Sequence, residues 1–237
     1  MPPAPEPLLS VRGLQAWYGE SHVLHGVDFD VAPGELVTLL GRNGSGRTST
    51  LKAILGLTDR REGSARVAGV EAIGMPPHRI ARLGIGYCPE ERGIFATLSV
   101  DENLLLPPKV KEGGMTVAEI HAMFPNLANR GKTPGTRLSG GEQQMLALGR
   151  ILRTGARLLL LDEITEGLSP VIVQALGRAV SDLKARGFTI VLVEQNFRFS
   201  APLADRHYVI EHGRVATVVP REELEERMDE LTEYLGV

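Results

Sequence analysis

The stretch GELVTLLGRNGSGRTSTLKAILGL, residues 34–57, places a glycine-rich loop between a short apolar run and a segment of helical composition. We predict a strand over residues 35–40 and a helix over residues 50–57. Glycines let successive backbone N–H groups surround phosphate oxygens, and the following helix directs its positive end at the same point. The order of strand, loop and helix therefore predicts a phosphate-binding site in an α/β fold.

The loop from Gly41 to Thr48 fits the pattern G-x-x-x-x-G-K-[ST], except that Arg47 stands at the Lys position. Arg47 keeps the positive charge, but its planar fork is wider than an ammonium group, so its phosphate contacts must differ in geometry. The hydroxyl of Thr48 can coordinate Mg²⁺. On this motif alone a glycine-rich turn without a ligand stays an alternative. The predicted nucleotide contacts here are Gly41, Asn43, Gly44, Ser45, Gly46, Arg47, Thr48 and Ser49.

A second motif is the run RLLLLDE, residues 157–163, in which an apolar strand ends in Asp162 and Glu163. Nucleotide sites of parallel sheets lie at such strand ends. Asp162 is suited to holding Mg²⁺, and Glu163 to orienting or deprotonating the attacking water, a contribution of roughly 10²–10⁴-fold for a general base. In isolation the two carboxylates could merely solvate a strand end, but the phosphate loop favours a nucleotide site.

A third motif is LSGGEQQ, residues 138–144, in which Ser139 is a predicted N-cap and two glycines permit close approach of a ligand. The helix that follows runs through Leu152. Its start can bind an anion, although an ordinary capped helix is the alternative for this motif alone.

The rest of the chain extends the α/β pattern. We predict antiparallel strands at residues 8–18 and 23–31, and a crossover helix at 171–184. The stretch 98–154 has helix signals separated by Gly and Pro and is predicted to be a helical insertion. Residues 222–235, EELEERMDELTEYL, predict a C-terminal helix. Further strands are predicted at residues 85–88, 158–161, 189–193, 207–210 and 215–219.

The three motifs, in this order, resemble the ABC ATPase family over nearly the whole chain. The resemblance implies a P-loop NTPase core with a mostly parallel sheet, an N-terminal antiparallel β subdomain and an inserted α-helical subdomain. It implies one ATP-binding domain over residues 1–237, made of the core (8–97 and 155–219), the helical subdomain (98–154) and a C-terminal helix (220–237). ATP and Mg²⁺ are the implied cofactors. Two such domains meet head to tail in the family, so the residues expected to act on the partner's ATP are Ser139, Gly140, Gly141 and Glu142.

Other roles rest on the same resemblance. Tyr18 matches the aromatic residue that stacks on adenine, and residues 166–169 match the loop that links the two sites. Glu90 stands where Gln contacts Mg²⁺ and water, and Gln195 replaces the usual switch His. A strand-end Tyr18, and a surface location of Glu90 and Gln195, are the alternatives.

The segments PEERGIF and VEQN, with LSGGEQQMLALGR and EGLSP, resemble the ATPase subunits of branched-chain amino-acid importers, and related amide and urea importers look similar. The implied partners are a second, homologous ATPase subunit, two membrane permease subunits and, indirectly, a substrate-binding protein. The implied location is peripheral, on the cytoplasmic face of the membrane. A homodimer stays open, and Ile164 stands where that group has Pro.

Three alternatives remain. A lipopolysaccharide-type exporter ATPase usually retains the switch His, so Gln195 disfavours it. A soluble ABC protein that clamps nucleic acid is disfavoured by a net charge of -3 and by the lack of a basic stripe. A subunit that binds ATP but hydrolyses it slowly is suggested by Arg47 and Ile164.

The composition is that of a globular protein, with 43% hydrophobic and 23% charged residues. A single cysteine, Cys88, excludes an intramolecular disulfide and favours a reducing compartment. No apolar run approaches the roughly 20 residues that cross a bilayer. The opening MPPAPEP lacks the basic and apolar regions of a signal peptide.

Overall fold

The computed structural model describes residues 6–236, so the first five residues of the opening segment and Val237, at the end of the predicted C-terminal helix, lie outside it. Two sheets and a set of helices make up this range. The strands are β1 (Leu9–Tyr18), β2 (Ser21–Val31), β3 (Leu36–Leu40), β4 (Arg60–Val67), β5 (Val70–Glu71), β6 (Ile85–Cys88), β7 (Leu158–Asp162), β8 (Thr189–Val193), β9 (Arg206–Glu211) and β10 (Arg214–Pro220). The α-helices are α1 (Arg47–Ile54), α2 (Pro77–Ala81), α3 (Val100–Leu105), α4 (Val117–Met123), α5 (Pro125–Ala128), α6 (Gly140–Leu152), α7 (Pro170–Ala185), α8 (Phe197–Ser200) and α9 (Met228–Leu235).

The larger sheet has six strands in the order β10-β9-β3-β8-β7-β6, and all of its pairings are parallel except that of β10 with β9. The smaller sheet has the order β2-β1-β4-β5 and is antiparallel. The predicted fold class, a mostly parallel sheet with an antiparallel β subdomain and helices, is confirmed.

Both faces of the larger sheet are covered, which explains why β3, β7 and β8 are buried at every position and mostly apolar. Successive side chains of a strand point to opposite faces. In β7, Leu159 and Leu161 pack with the helices, whereas Leu158 and Leu160 pack with residues of the smaller sheet. The central strand β7 is therefore sandwiched between two hydrophobic cores.

Five elements were not predicted individually from the sequence: β4, β5, α2, α5 and α8. Strand β4 has the sequence RREGSARV, and most of its residues are not buried, so its apolar signal is weak. Its backbone is nevertheless paired on one side with β1 and on the other with β5. Backbone pairing rather than side-chain pattern defines this strand.

Two predicted helices differ in extent. Helix α1 begins at Arg47 and ends at Ile54, three residues earlier at each end than expected. The C-terminal α-helix begins only at Met228, after a 3₁₀ turn at Arg221–Glu223. Arg227 donates to the carbonyl of Val218 at 2.8 Å and to the carboxylate of Glu230 at 2.8 Å, which ties the chain to β10 just before the helix. No helix among residues 6–236 is long and apolar enough to cross a membrane.

Asn103, on α3, organises the segment between β6 and the helical region. Its side chain is fully buried and accepts a hydrogen bond from the N–H of Phe95 at 2.8 Å. Its amide group donates to three carbonyls, those of Phe95 (2.9 Å), Leu98 (3.1 Å) and Ser99 (3.0 Å). One side chain therefore satisfies four backbone groups of the loop that follows Glu90.

We predict that Asn103→Ala lowers the free energy of unfolding by roughly 1–3 kcal/mol, because it removes the hydrogen bonds of a fully buried side chain, including the one accepted from the Phe95 N–H. Urea unfolding followed by circular dichroism measures the change. Asn126→Ala is the control, because Asn126 is exposed on α5. Equal stability of the two variants would contradict the role assigned to Asn103.

Candidate nucleotide site

The parallel strands β3, β6, β7 and β8 end at one edge of the larger sheet. The glycine-rich loop follows β3, Glu90 follows β6, Asp162 and Glu163 lie at the end of β7, and Gln195 follows β8. The carboxyl ends of parallel strands are where open α/β sheets bind ligands. The topology therefore gathers residues that are as far apart as 41 and 195 in the sequence.

The loop after β3 has the backbone geometry of a phosphate cradle. Gly41, Gly44 and Gly46 have φ values of 147°, 78° and 111°, a region that favours glycine. A Cβ on Gly41 would lie 2.2 Å from the carbonyl oxygen of Ile210, so no larger residue fits there. Gly46 provides no side-chain cap for α1. The first N–H groups of α1 are thus available to an anion.

A cavity of about 500 Å³ opens beside this loop. Val23 and Glu166 line it in addition to residues predicted as nucleotide contacts, and Tyr18, 37% exposed, stands at its wall. The volume is in the range of small-molecule sites. The predicted residues that line it are Tyr18, Asn43, Gly44, Ser45, Gly46, Arg47, Thr48, Ser49, Glu90 and Glu163.

Asp162 is fully buried and joins the end of β7 to the start of α1. It accepts hydrogen bonds from the Thr48 hydroxyl at 2.9 Å and from the Tyr87 hydroxyl at 3.0 Å. Burial raises the pKa of Asp162, while these two bonds lower it. A hydroxyl and a carboxylate in contact are a donor set that suits Mg²⁺, so Thr48 and Asp162 fit this ion. Tyr87, in an apolar strand, had no sequence signal.

Arg47 is only 4% exposed, and its guanidinium forms an ion pair with Glu163. The same Nη2 lies 2.9 Å from Glu163 Oε1 and 3.1 Å from Asn43 Oδ1. Nη1 is buried without a hydrogen-bond partner, and so is the hydroxyl of Ser45. Buried polar groups are almost always hydrogen-bonded, so these two orphan groups fit a phosphate-bearing ligand.

Glu163 has a positive φ of 47°, which is unusual for a residue with a side chain. Such a conformation costs roughly 1–3 kcal/mol and persists only where neighbouring contacts determine it. Burial raises the pKa of Glu163, whereas the charge of Arg47 lowers it, and the net shift is upward. A raised pKa makes this carboxylate a better proton acceptor near neutral pH.

Two further carboxylates lie beside Glu163. One oxygen of each of Glu90, Glu163 and Glu166 lies within 4.8 Å of the others. Burial, followed by the interaction with Glu166, raises the pKa of Glu90. The structure thus places Glu90 at the cavity, where a Mg²⁺ contact was predicted, and that contact remains a prediction.

Several predicted residues do not line this cavity. Gln195 is exposed and lines a neighbouring cavity with Glu163 and Glu166. The four signature residues from Ser139 to Glu142 lie at the start of α6, where Ser139 and Glu142 form a capping box and Glu142 pairs with Arg130 at 3.3 Å. Gly41 lies at the start of the loop, outside the cavity lining, and packs on the backbone of Ile210. Contacts of these residues with nucleotide remain predictions.

A family profile for ABC transporters matches residues 24–166, which is more than half of the chain. The chain belongs to the ABC transporter family. The glycine-rich loop and the whole of the capped helix α6 of this ABC ATPase lie inside the matched range, and so do Asp162 and Glu163.

Three curated relatives cover most of this ABC ATPase. It is 39% identical over 88% of its length to the high-affinity branched-chain amino acid transport ATP-binding protein BraG of Pseudomonas aeruginosa, of which it covers 91%. It is 37% identical over 88% of its length to a probable branched-chain amino acid transport ATP-binding protein, LivF, of Archaeoglobus fulgidus, of which it covers 90%. It is 31% identical over 97% of its length to the lipopolysaccharide export system ATP-binding protein LptB of Acidithiobacillus ferridurans, of which it covers 97%.

Solved structures share the fold of this ABC ATPase. The structure of an ATP-binding subunit of an ABC transporter, 27% identical, superimposes with a TM-score of 0.81 over 97% of this chain and 100% of the other. The dimeric post-hydrolysis state of an ATP-binding cassette bound to ADP and Pi, 21% identical, gives a TM-score of 0.78 over 90% of this chain and 98% of the other.

We predict that Glu163→Gln lowers the rate of ATP hydrolysis by about 10²–10⁴-fold, because the amide cannot accept a proton from water. Nucleotide binding should persist, since the phosphate loop is unchanged. Phosphate release and fluorescent-nucleotide titration measure the two effects. Glu91→Gln, an exposed neighbour of Glu90, is the control. Undiminished hydrolysis by Glu163→Gln would remove Glu163 from the catalytic role.

Proposed function

We propose that this ABC ATPase forms one ATP-binding domain that energises an importer of branched-chain amino acids from the cytoplasmic face of the membrane. The observation that carries the proposal is the cavity lined by the phosphate loop and Glu163, where Thr48 of the loop donates to the buried Asp162. The 39% identity to BraG, against 31% to LptB, supports the importer and its substrate class. Gln195 at the switch position supports the same assignment.

Each residue has a distinct task in this proposal. The N–H groups of the loop and the orphan Nη1 of Arg47 bind phosphate oxygens. Thr48 and Asp162 hold Mg²⁺, which when bound neutralises phosphate charge. Glu163 orients the attacking water and accepts its proton, and Tyr18 stacks on adenine. Gln195 donates a neutral amide hydrogen bond to the γ-phosphate, since it cannot titrate as His does.

The second half of the site comes from a partner in this proposal. Ser139, Gly140 and Gly141 lie outside the cavity in their own chain, which supports a head-to-tail dimer in which they meet the partner's nucleotide. We favour a homologous but different ATPase subunit as the partner, together with two permease subunits and an external binding protein. Phe95, Leu105 and Leu106 are exposed and apolar in the segment beyond Glu90, which supports contact with a permease there.

We predict that deleting the gene in its native host reduces uptake of radiolabelled leucine, isoleucine and valine several-fold. The wild-type gene and Glu91→Gln should restore uptake, whereas Glu163→Gln should not, because transport requires hydrolysis. Urea and amide uptake, and export of lipopolysaccharide, are measured in the same strains. Normal amino-acid uptake combined with loss of one of these activities would replace the proposal by the corresponding alternative.

We also propose that Arg47 slows hydrolysis by holding Glu163. The ion pair engages the carboxylate that must face the water, and the charge of Arg47 offsets part of the rise in pKa that burial gives Glu163. Nη2 contacts both Asn43 and Glu163, and it lies at the end of a longer side chain than that of Lys, whose ammonium is a compact charge. This contact supports a restrained Glu163 before nucleotide binds.

We predict that Arg47→Lys raises kcat about 3- to 10-fold, the rate equivalent of roughly 1 kcal/mol in the barrier. Steady-state phosphate release measures kcat, and a nucleotide titration confirms that binding persists. Arg42→Lys is the control, because Arg42 contacts the carbonyls of Glu233 and Tyr234 instead of Glu163. An unchanged or lower kcat in Arg47→Lys would contradict the restraint.

A further inference from the structure

Glu194 has no task in the mechanism above, yet it is a carboxylate that is only 2% exposed at the end of β8. Burial raises its pKa to about 7. Among residues 6–236 no Lys or Arg forms an ion pair with it. A buried carboxylate without a cation is expensive to keep, and such groups concentrate at functional sites.

Two hydrogen bonds join the Glu194 carboxylate to the loop that follows β7. Its Oε1 accepts a hydrogen bond from the N–H of Thr165 at 3.1 Å, and its Oε2 accepts one from the Thr165 hydroxyl at 2.8 Å. Thr165 is itself buried, and Ile164 before it is 1% exposed. Glu194 thus holds this loop by two hydrogen bonds at Thr165, two residues after Glu163.

Val193, the residue before Glu194, contacts the same loop at Glu163, on the N-terminal side of Ile164. The N–H of Glu163 donates to the carbonyl of Val193 at 2.9 Å. Val193 and Glu194 therefore form hydrogen bonds with Glu163 and Thr165. These bonds restrain the backbone on which Glu163 has its φ of 47°. A strained backbone conformation requires such surrounding restraint.

We propose that Glu194 is a positioning residue for hydrolysis: its two bonds to Thr165 hold the loop in the conformation that aims the Glu163 carboxylate at the attacking water. A cavity between the loop that follows β7 and the loop that follows β8 is lined by Glu163, Glu166, Glu194 and Gln195. Glu194 therefore also positions its neighbour Gln195, the proposed γ-phosphate contact. Glu194 acts through Thr165 and does not line the nucleotide cavity. The inference rests on the proposed ATPase activity.

The test compares Glu194→Ala and Glu194→Gln with the wild type in kcat, KM for ATP and nucleotide affinity. Alanine removes both acceptors, whereas glutamine can accept from the Thr165 N–H and donate to its hydroxyl oxygen. We expect Glu194→Ala to lower kcat by roughly 10- to 100-fold, since small misplacement of a catalytic group has effects of this size. KM and affinity should stay within about two-fold, and Glu194→Gln should restore most of kcat.

A second pair of variants keeps the test decisive if Glu194→Ala does not fold. Thr165→Val removes the hydroxyl donor at nearly constant shape, and Thr165→Ser retains it. We expect a lower kcat with unchanged KM in Thr165→Val and near wild-type values in Thr165→Ser.

Three results would overturn the proposal. The first is an unchanged kcat in both Thr165→Val and folded Glu194→Ala. The second is a nucleotide affinity that falls in proportion to kcat in these variants. The third is a Glu194→Gln variant that is as inactive as Glu194→Ala. A wild-type chain that does not hydrolyse ATP even when assembled with its partner ATPase and permease subunits would instead refute the proposed function, so the two failures are distinguishable.

Discussion

The site depends on the parallel alignment of β7 between β6 and β8. Parallel strands end together, so one edge of the sheet receives the ends of three strands as well as that of β3. The hydrogen bond from Thr48 to Asp162 then joins the start of α1 to the end of β7, although β8 separates β3 from β7 in the sheet. Without this alignment the loop and the carboxylates would be unrelated surface features.

The alignment brings charges together in an environment where burial disfavours each of them. Burial raises the pKa values of Asp162, Glu163 and Glu90, whereas the buried guanidinium of Arg47 faces Glu163. The excess of carboxylates fits the proposed metal–phosphate complex, in which the metal would offset the acids while the phosphate would satisfy the orphan donors of the loop. Acidic and basic groups therefore serve different parts of one ligand.

The sequence predicted those parts that depend on local pattern. The apolar runs of β3, β7 and β8 and the glycine spacing of the loop are local signals, and they located the sheet and the cavity. Strand β4 was missed because its eight residues carry mostly polar side chains, and its pairing with β1 involves residues some 50 positions away. The helix start at Arg47 was missed because the last residues of the glycine-rich motif already belong to the helix, and their sequence gives no signal for the boundary.

Long-range contacts between polar side chains lay beyond the reach of sequence patterns. Arg47 and Glu163 are 116 residues apart, and Thr165 and Glu194 are 29 apart, so neither pairing has a periodicity that could reveal it. The geometry of Glu163 depends on both, since one contact holds its carboxylate and the other its backbone. Because the two restraints on the strained Glu163 are independent, one can be removed without the other. A phosphate that binds the Arg47 guanidinium would release the Glu163 carboxylate while the backbone of Glu163 stays fixed. In the proposed mechanism, this order of events lets Glu163 be restrained before nucleotide binds and oriented toward the attacking water after nucleotide has bound.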